Sequence, residues 1–314
     1  MAEFERKDFI SIKDISAEEI LYILDTADIM KFVLSREKKK APHLSGKSVI
    51  LLFYENSVRA RLSYEMAARF LSANVVEMNV TTEENSGGNL LEMGKLIDQM
   101  GGDFIVTRHS MSGAPGLLAR NCAASVINAG DGLNENPTQS LLDLLTIRNH
   151  KKGFKGLKVS IIGDVANSRV TRSNIWGLLK LGAEVSIAGP ATLIPPGLAE
   201  YGVRVCGSAC EAVSGADVIM ALRMKREGHY SALLPSYAEY KGLFKIDMNL
   251  LQYAKEDVIV MHPGPINREI EIASPVIESR HCYVDDQITN GVAVRMAVLY
   301  ILSLNSGAKG GGCL

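Results

Sequence analysis

Hydrophobic residues along this chain occur in two alternating patterns, short uninterrupted apolar runs and longer segments with a helical period. Residues 49–54 form one apolar run without alternation, which is typical of a strand buried on both faces of a parallel sheet. Residues 59–71 then follow a helical pattern, so the two segments predict one strand–helix unit. The same patterns predict buried strands at 75–78, 104–107 and 125–128, with helices at 17–34, 90–100 and 138–148.

The second half of the chain repeats this alternation after a polar break with two glycines at 151–156. Further buried strands are predicted at 159–162, 184–188, 203–206, 218–222 and 258–261, followed by an amphipathic closing helix at 290–304. The predicted fold class is therefore α/β, with two domains that each contain a parallel sheet flanked by helices. The first domain covers 1–150 and is joined by the closing helix, the second covers 151–289, and 305–314 is a flexible tail.

Composition excludes several classes of protein. The 314 residues are 47% hydrophobic and 22% charged, as expected for a folded globular chain. The net charge is −1, so the chain does not have the excess of basic residues that is typical of a nucleic-acid binder. Residues 1–13 carry charges throughout, and we expect no signal peptide, no membrane span and no membrane partner. Five cysteines without a CxxC pair favour reduced thiols, so the expected location is the cytoplasm.

Polar side chains follow three predicted strands of the first half, at the edge where open α/β sheets bind ligands. Ser57 and Arg59 lie between a strand and a helix, where free N–H groups could bind an anion. The alternative is a serine N-cap with surface arginines. Arg108 follows the next strand, and residues 136–139 form a polar loop before a helix.

The second half has similar residues after its strands. Arg169 opens a helix after the strand at 159–162, where a guanidinium could bind a carboxylate bidentately. Arg223 and Lys225 follow another strand, and a loop stiffened by two prolines follows His262. Surface ion pairing is the alternative for each residue taken alone. Taken together, these features indicate an anionic ligand bound between the two domains.

The order and spacing of these segments resemble the aspartate and ornithine carbamoyltransferases over roughly residues 8–304, and the aspartate branch more closely. The matching segments are 130–132, 137–144, 163–164, 168–174 and 262–265. The resemblance implies a carbamoyl-phosphate-binding domain, an aspartate-binding domain and a homotrimer with active sites between subunits. It implies transfer of a carbamoyl group from carbamoyl phosphate to L-aspartate, as in pyrimidine biosynthesis. We expect neither a metal nor a cofactor, and a regulatory or paralogous subunit is a possible partner.

The resemblance also assigns roles to particular positions. On the donor side, the phosphate loop contains Ser57, Val58, Arg59 and Ala60, the donor carbonyl and phosphate are contacted by Arg108, and the carbamoyl group is contacted by Asn136 and Gln139. On the acceptor side, the aspartate carboxylates are bound by Arg169, Arg223 and Lys225, and the substrate loop after His262 contains Gly264 and Pro265.

This chain departs from the family pattern mainly on the donor side. Val58 and Ala60 replace two hydroxyl residues of the phosphate loop, and Asn136 replaces a histidine that polarises the carbamoyl carbonyl. The loop at 81–89 lacks the lysine that the family extends into a neighbouring site. On the acceptor side Lys225 replaces a glutamine, and Gly264 replaces a commonly larger residue. Three hypotheses remain: a working aspartate carbamoyltransferase, a related enzyme with another donor or acceptor, and a noncatalytic paralogue subunit.

Overall fold

The structure is a computed structural model that describes residues 4–79, 87–224 and 236–306. The chain divides into two compact units, Met1–Leu145 with Thr289–Leu314, and Thr146–Ile288. The division falls inside two helices, Pro137–Lys151 and Val284–Ser306. We call these parts unit 1 and unit 2.

Unit 1 contains a four-stranded parallel sheet in the order β2-β1-β3-β4. The two inner strands, β1 and β3, are buried almost completely, which explains their apolar runs. The elements that lie wholly or partly in unit 1 are α1 (Ala17–Ser35), β1 (Ser48–Phe53), α2 (Val58–Phe70), β2 (Asn74–Asn79), α3 (Gly87–Gln99), β3 (Phe104–His109), α4 (Ala114–Asn121), β4 (Ser125–Asp131), α5 (Pro137–Lys151) and α11 (Val284–Ser306).

Unit 2 contains a five-stranded parallel sheet in the order β7-β6-β5-β8-β9. The predicted α/β class with two helix-flanked parallel sheets is confirmed. The elements of unit 2 are β5 (Lys158–Ile162), α6 (Arg169–Lys180), β6 (Glu184–Ala188), β7 (Arg204–Val205), α7 (Ala209–Val213), β8 (Val218–Ala221), α8 (Tyr237–Phe244), α9 (Met248–Leu251), β9 (Ile259–Met261) and α10 (Ser274–Ile277).

The prediction of a buried strand was wrong for β2 and β7. Both are edge strands of their sheets, and an edge strand has a strand neighbour on one side only. Val76 in β2 is 49% exposed and Val205 in β7 is 43% exposed. An apolar run identifies a strand, but the packing on its two faces decides whether its side chains are covered, since the edge strands β4 and β9 are buried throughout.

The closing helix α11 is long and contains an extended apolar segment. By length and hydropathy, residues 284–305 could cross a membrane. However, 67% of the 18-residue segment on which this rests is buried inside the protein. Burial of this kind is typical of the core helix of a globular domain. Ala293, Val294, Met296 and Ala297 are all fully buried.

Candidate active site

The first polar site lies where β1 ends and α2 begins. Ser57 is the residue before the helix, yet within the described chain its hydroxyl makes no capping hydrogen bond. The N–H of Arg61 donates to the Ser57 carbonyl at 3.0 Å, and the N–H groups before it have no acceptor within the helix. The first turn contains no carboxylate in its sequence. This helix N-terminus therefore has the polarity and the donors to attract an anion.

The side chains of residues 57–60 provide one cation and little hydrogen bonding. Arg59 is exposed, and Val58 presents an apolar side chain that is 63% exposed. Ala60 is partly buried and also lacks a polar group. Anion binding at this turn therefore depends on the backbone N–H groups, Ser57 and Arg59, since the other two side chains cannot donate.

Arg108 lies near the end of β3 and is held by the ends of both neighbouring strands. Its Nε donates to Glu55 Oε2 at 3.0 Å, and its guanidinium donates to the Ala129 carbonyl at 3.3 Å. The Arg108 side chain is 16% exposed and that of Glu55 is 27% exposed. A partly buried charge-assisted pair holds its geometry better than a surface pair, which is worth about 0–1 kcal/mol. The guanidinium is thus fixed at the carboxyl edge of the sheet.

The loop after β4 is organised by the buried carboxylate of Asp131. One of its oxygens accepts from the Gly113 N–H at 2.6 Å, and the other accepts from Asn128 Nδ2 at 2.9 Å and the Glu135 N–H at 3.1 Å. Glu135 in turn accepts a hydrogen bond from the Ile12 N–H at 3.0 Å. Buried polar groups need such partners, because an unmade bond costs about 1–3 kcal/mol. The loop that leads to Asn136 is therefore rigid at its base.

Asn136 and Gln139 occupy the start of α5. The Asn136 carbonyl accepts from the N–H of Gln139 at 3.1 Å, and its side chain is partly buried. Gln139 Nε2 donates to Asp143 Oδ1 at 3.0 Å, one helical turn further along. The buried hydroxyl of Thr138 lies 2.8 Å from that of Tyr64 in α2. Because one N–H of the Gln139 amide donates to Asp143, the orientation of the amide is set, and its carbonyl oxygen can accept a hydrogen bond from a ligand.

A buried arginine of α11, Arg295, contacts α2. Arg295 donates to Ser63 Oγ at 2.9 Å, and its guanidinium lies 4.8 Å from the centre of the Tyr64 ring. Burial lowers the pKa of Arg295, and the like charge of Arg59 lowers it further, whereas Tyr64 and Asp143 act in the opposite direction. Burial also raises the pKa of Tyr64. Arg295, Tyr64, Arg59 and Asp143 of unit 1 thus lie close enough to influence one another electrostatically.

The sheet topology explains why these residues of unit 1 come together. Ser57, Arg59, Arg108, Asn136 and Gln139 lie at or after the carboxyl ends of β1, β3 and β4, which are consecutive neighbours in the sheet. Because the strands are parallel, their carboxyl ends meet at one edge, where open α/β sheets bind ligands.

In unit 2, Arg169 is the first residue of α6. Ser168 caps this helix by accepting from the Thr171 N–H at 3.1 Å. The preceding turn is fixed by Asp164, whose Oδ1 accepts from Asn167 Nδ2 at 2.9 Å. Arg169 itself is partly buried. The backbone that carries this guanidinium is thus held on both sides.

Arg223 and the proline loop follow the two neighbouring strands. Arg223 is exposed two residues after β8, and the adjacent Met224 is 1% exposed. After β9, His262 Nδ1 accepts from the Gly264 N–H at 2.8 Å, and the Gly264-Pro265 peptide is cis. Gly264 has a φ of +67°, a conformation that glycine adopts without steric cost. Lys225 lies outside the described residues, as does most of the loop at 81–89.

Sequence reasoning missed the buried and partly buried residues that hold these groups in place. In unit 1 they are Glu55, Tyr64, Asp131, Asp143 and Arg295, and in unit 2 they are Asp164 and Glu271. One signal was available for Asp143, which stands four residues after Gln139 and therefore lies on the same helical face.

Family models match both halves of the chain. Residues 7–149 match "Aspartate/ornithine carbamoyltransferase, carbamoyl-P binding domain", and residues 155–302 match "Aspartate/ornithine carbamoyltransferase, Asp/Orn binding domain". A protein named aspartate carbamoyltransferase catalytic subunit from Acetivibrio thermocellus is 57% identical over 298 residues, 95% of this chain and 96% of that protein. One of the same name from Ruminiclostridium cellulolyticum is 53% identical, over 95% of each chain.

Solved structures share the fold at lower identity. Ornithine carbamoyltransferase from Pyrococcus furiosus superposes with a TM-score of 0.85 at 27% identity, covering 95% of this chain and 97% of that one. Aspartate transcarbamoylase from Trypanosoma cruzi, in complex with carbamoyl phosphate and aspartate, gives 0.82 at 27% identity, with 94% and 95% covered.

Proposed function

Because this chain belongs to the aspartate/ornithine carbamoyltransferase family, we propose that it transfers the carbamoyl group of carbamoyl phosphate to the amine of L-aspartate. The products are N-carbamoyl-L-aspartate and phosphate. One observation carries the proposal: each unit has arginines at the carboxyl ends of neighbouring parallel strands, Arg59 and Arg108 in unit 1, and Arg169 and Arg223 in unit 2. Carbamoyl phosphate and aspartate are both anions that arginine binds well.

On the donor side, the first turn of α2 binds the phosphate. Backbone N–H groups, the Ser57 hydroxyl and the Arg59 guanidinium donate to its oxygens. Arg108 donates to the carbonyl oxygen and the phosphate, in an orientation set by Glu55. Gln139 accepts from the carbamoyl NH₂ through its carbonyl oxygen, since its own NH₂ is bonded to Asp143.

On the acceptor side, Arg169 and Arg223 bind the two carboxylates of aspartate. A bidentate guanidinium–carboxylate contact fixes both position and angle. The loop of Gly264 and Pro265, with Lys225, borders the same substrate. In the proposed reaction, the aspartate bound in this way supplies its amine as the nucleophile.

The reaction then needs positioning and charge stabilisation more than covalent help. The neutral amine of aspartate attacks the carbamoyl carbon and forms a C–N bond. Negative charge develops on the carbonyl oxygen, where Arg108 and the Asn136 amide stabilise it. The C–O bond to phosphate breaks, and the departing phosphate accepts the proton from the amine. Preorganised donors of this kind account for a large share of the rate in such reactions.

A second candidate function is a related transferase with a different donor or acceptor, or a noncatalytic paralogue subunit. The observation that favours it is the exposed, apolar Val58 in the phosphate turn, together with Ala60 and Asn136. A hydrogen bond to a charged group contributes about 1.5–3 kcal/mol, so two lost hydroxyls weaken donor binding substantially.

We place this protein in the cytoplasm as a homotrimer, with a regulatory or paralogous subunit as a further possible partner. The four cysteines of the described residues are free thiols, which suits a reducing compartment. In unit 1, Val58, Leu62 and Met66 form an exposed apolar stripe at i, i+4 and i+8 of α2, and Val76 on β2 is also exposed. An apolar stripe and an uncovered sheet edge both favour association with another subunit.

Purified protein, carbamoyl phosphate and L-aspartate test the proposal directly. We expect formation of N-carbamoyl-aspartate together with an equal amount of phosphate. Ornithine in place of aspartate is the control acceptor and should give no product. Binding of the dicarboxylate succinate without any turnover of carbamoyl phosphate would favour the second candidate.

A further inference from the structure

A fully buried glutamate in unit 2 collects donors from two different loops. Glu271 is 0% exposed and stands in the segment after β9. Its Oε1 accepts from the Met224 N–H at 2.7 Å and from Asn267 Nδ2 at 2.7 Å. Its Oε2 accepts from the Asn267 N–H at 2.7 Å, and His262 Nε2 lies 3.0 Å from the same oxygen.

The tautomer of His262 follows from its other contact. Its Nδ1 accepts from the Gly264 N–H, so in the neutral ring the proton is on Nε2 and faces Glu271. Nε2 lies within ion-pair distance of Oε2 but is not aligned as a regular hydrogen bond. Both side chains are completely buried, and a carboxylate is the acceptor that suits an N–H at this position.

These contacts join the backbone next to Arg223 to the proline loop. Met224, which donates to Glu271, directly follows Arg223 in the chain. Asn267 holds the same backbone from the other side, because its Nδ2 also donates to the Met224 carbonyl at 2.9 Å. His262 begins the loop that contains Gly264 and Pro265. One carboxylate thus fixes both segments that follow β8 and β9.

The number of hydrogen-bond donors around residue 271 requires a carboxylate there. Four N–H groups face the two oxygens of Glu271, and an ionised carboxylate has about four lone-pair sites. A glutamine in its place has one oxygen and an NH₂ group. In either orientation, two of the four donors would then face another donor. Buried, unsatisfied donors are costly, so the loops would shift to find other partners.

We propose that Glu271 is a positioning residue for acceptor binding, which sets the relative placement of Arg223 and the Gly264-Pro265 loop. This inference rests on the proposed function, since it assigns those two segments to the dicarboxylate acceptor. Glu271 does not touch the substrate itself. It acts through the backbone of Met224 and through the ring of His262.

The experiment compares Glu271→Gln and Glu271→Asp in the full-length protein. Succinate binding is measured by calorimetry, and the KM for aspartate and kcat are measured separately. Phosphate binding reports on the donor side in the same samples. Glu278→Gln is the matched control, because it makes the same change at a side chain of unit 2 that is 71% exposed.

We expect Glu271→Gln to weaken succinate binding and raise the KM for aspartate by about tenfold or more, while phosphate binding stays unchanged. Glu271→Asp keeps the carboxylate on a shorter side chain, so this variant should bind succinate more tightly than Glu271→Gln does. Hydrogen exchange should accelerate at residues 222–224 and 262–267 in the glutamine variant. If that variant does not fold, Asn267→Ala removes one donor from the same cluster and should shift the same quantities by a smaller factor.

Equal succinate affinity in wild type and a folded Glu271→Gln variant would overturn the positioning role and leave the proposed function intact. A parallel loss of phosphate and succinate binding would also overturn it, because that pattern indicates general unfolding. Wild-type protein that binds no succinate would instead reject the acceptor assignment, and the role of Glu271 with it.

Discussion

Gln139 Nε2 donates to Asp143 Oδ1 at 3.0 Å across one turn of α5, within the buried part of unit 1. This bond decides which end of the Gln139 amide is available to a ligand. Without a fixed partner, a glutamine amide can rotate by half a turn and exchange its donor for its acceptor. The family role assigned to Gln139 depends on the acceptor facing the carbamoyl NH₂.

Replacing Asp143 with asparagine should therefore lower the rate more than it lowers acceptor affinity. The asparagine amide can present either a donor or an acceptor to Gln139, so the orientation of Gln139 is no longer unique. We expect kcat to fall by about tenfold, the loss of about one charge-assisted hydrogen bond, with succinate affinity unchanged. Steady-state kinetics and calorimetry measure the two quantities. Asp14→Asn, at an exposed position, is the control, and an unchanged kcat in Asp143→Asn would contradict this role.

The two acceptor arginines should each contribute to dicarboxylate binding. Arg169→Ala or Arg223→Ala removes a charge-assisted contact worth about 1.5–3 kcal/mol, so succinate binding should weaken by about tenfold or more. Arg204→Ala serves as the control in unit 2, because that side chain is 65% exposed and pairs with Glu211. Unchanged succinate affinity in both variants would reject the assignment of these arginines.

Donor binding should improve when the family pattern is restored. The triple change Val58→Thr, Ala60→Thr and Asn136→His adds two hydroxyls and an imidazole where anionic charge develops, and should tighten phosphate binding and raise the transferase rate. The combined gain should exceed the sum of the single gains if the groups act together. Val76→Thr makes the same valine-to-threonine change on an exposed edge strand, and it should alter neither phosphate binding nor the transferase rate. Wild-type turnover at an ordinary rate of about 10 s⁻¹ would show this prediction to be wrong.

His109 should make unit 1 less stable in mild acid. Burial lowers the pKa of His109 below its ordinary value of 6.5, and its Nδ1 accepts from the Met111 N–H at 2.9 Å, which requires an unprotonated nitrogen. The unfolded chain therefore binds the proton more readily, and the contribution to stability is lost as the pH falls below 6.5.

His109→Asn tests this dependence because its carbonyl oxygen can still accept from Met111 but does not titrate. The difference in unfolding midpoint between wild type and variant should narrow as the pH falls from 7 to 5, as measured by thermal unfolding. A difference that is constant with pH would mean that His109 does not titrate in this range.

The exposed stripe on α2 should support the proposed trimer. Leu62 is 55% exposed in the middle of this stripe, and Leu62→Glu would place a charge in any apolar interface that covers it. Sedimentation at micromolar concentration should show a trimer for wild type and smaller species for the variant. Leu243→Glu, on a residue of unit 2 that is 58% exposed, is the control. A monomeric wild type would reject the trimer.

The sequence by itself determined the elements of the fold and the positions at which polar residues leave the strands. Continuous apolar runs, such as that at 49–54, predicted the strands of parallel sheets, because a sheet that lies between helices loses the alternation of polar residues. Arg108, Arg169 and Arg223 were predicted as candidate site residues because ligand sites in such sheets lie at the carboxyl ends of strands, which can be located from the runs alone.

Only the tertiary structure decided which strands are edges and which buried charges meet. Val76 and Val205 were predicted to be buried, but they are exposed on the edge strands β2 and β7, whereas the edge strands β4 and β9 are buried. Glu271 and Met224 are far apart in sequence, as are Arg295 and Ser63, so no local period connects them. Hydrogen bonds and ion pairs act over about 3 Å, and partners that distant in the chain come within that range only when the sheets and helices have packed.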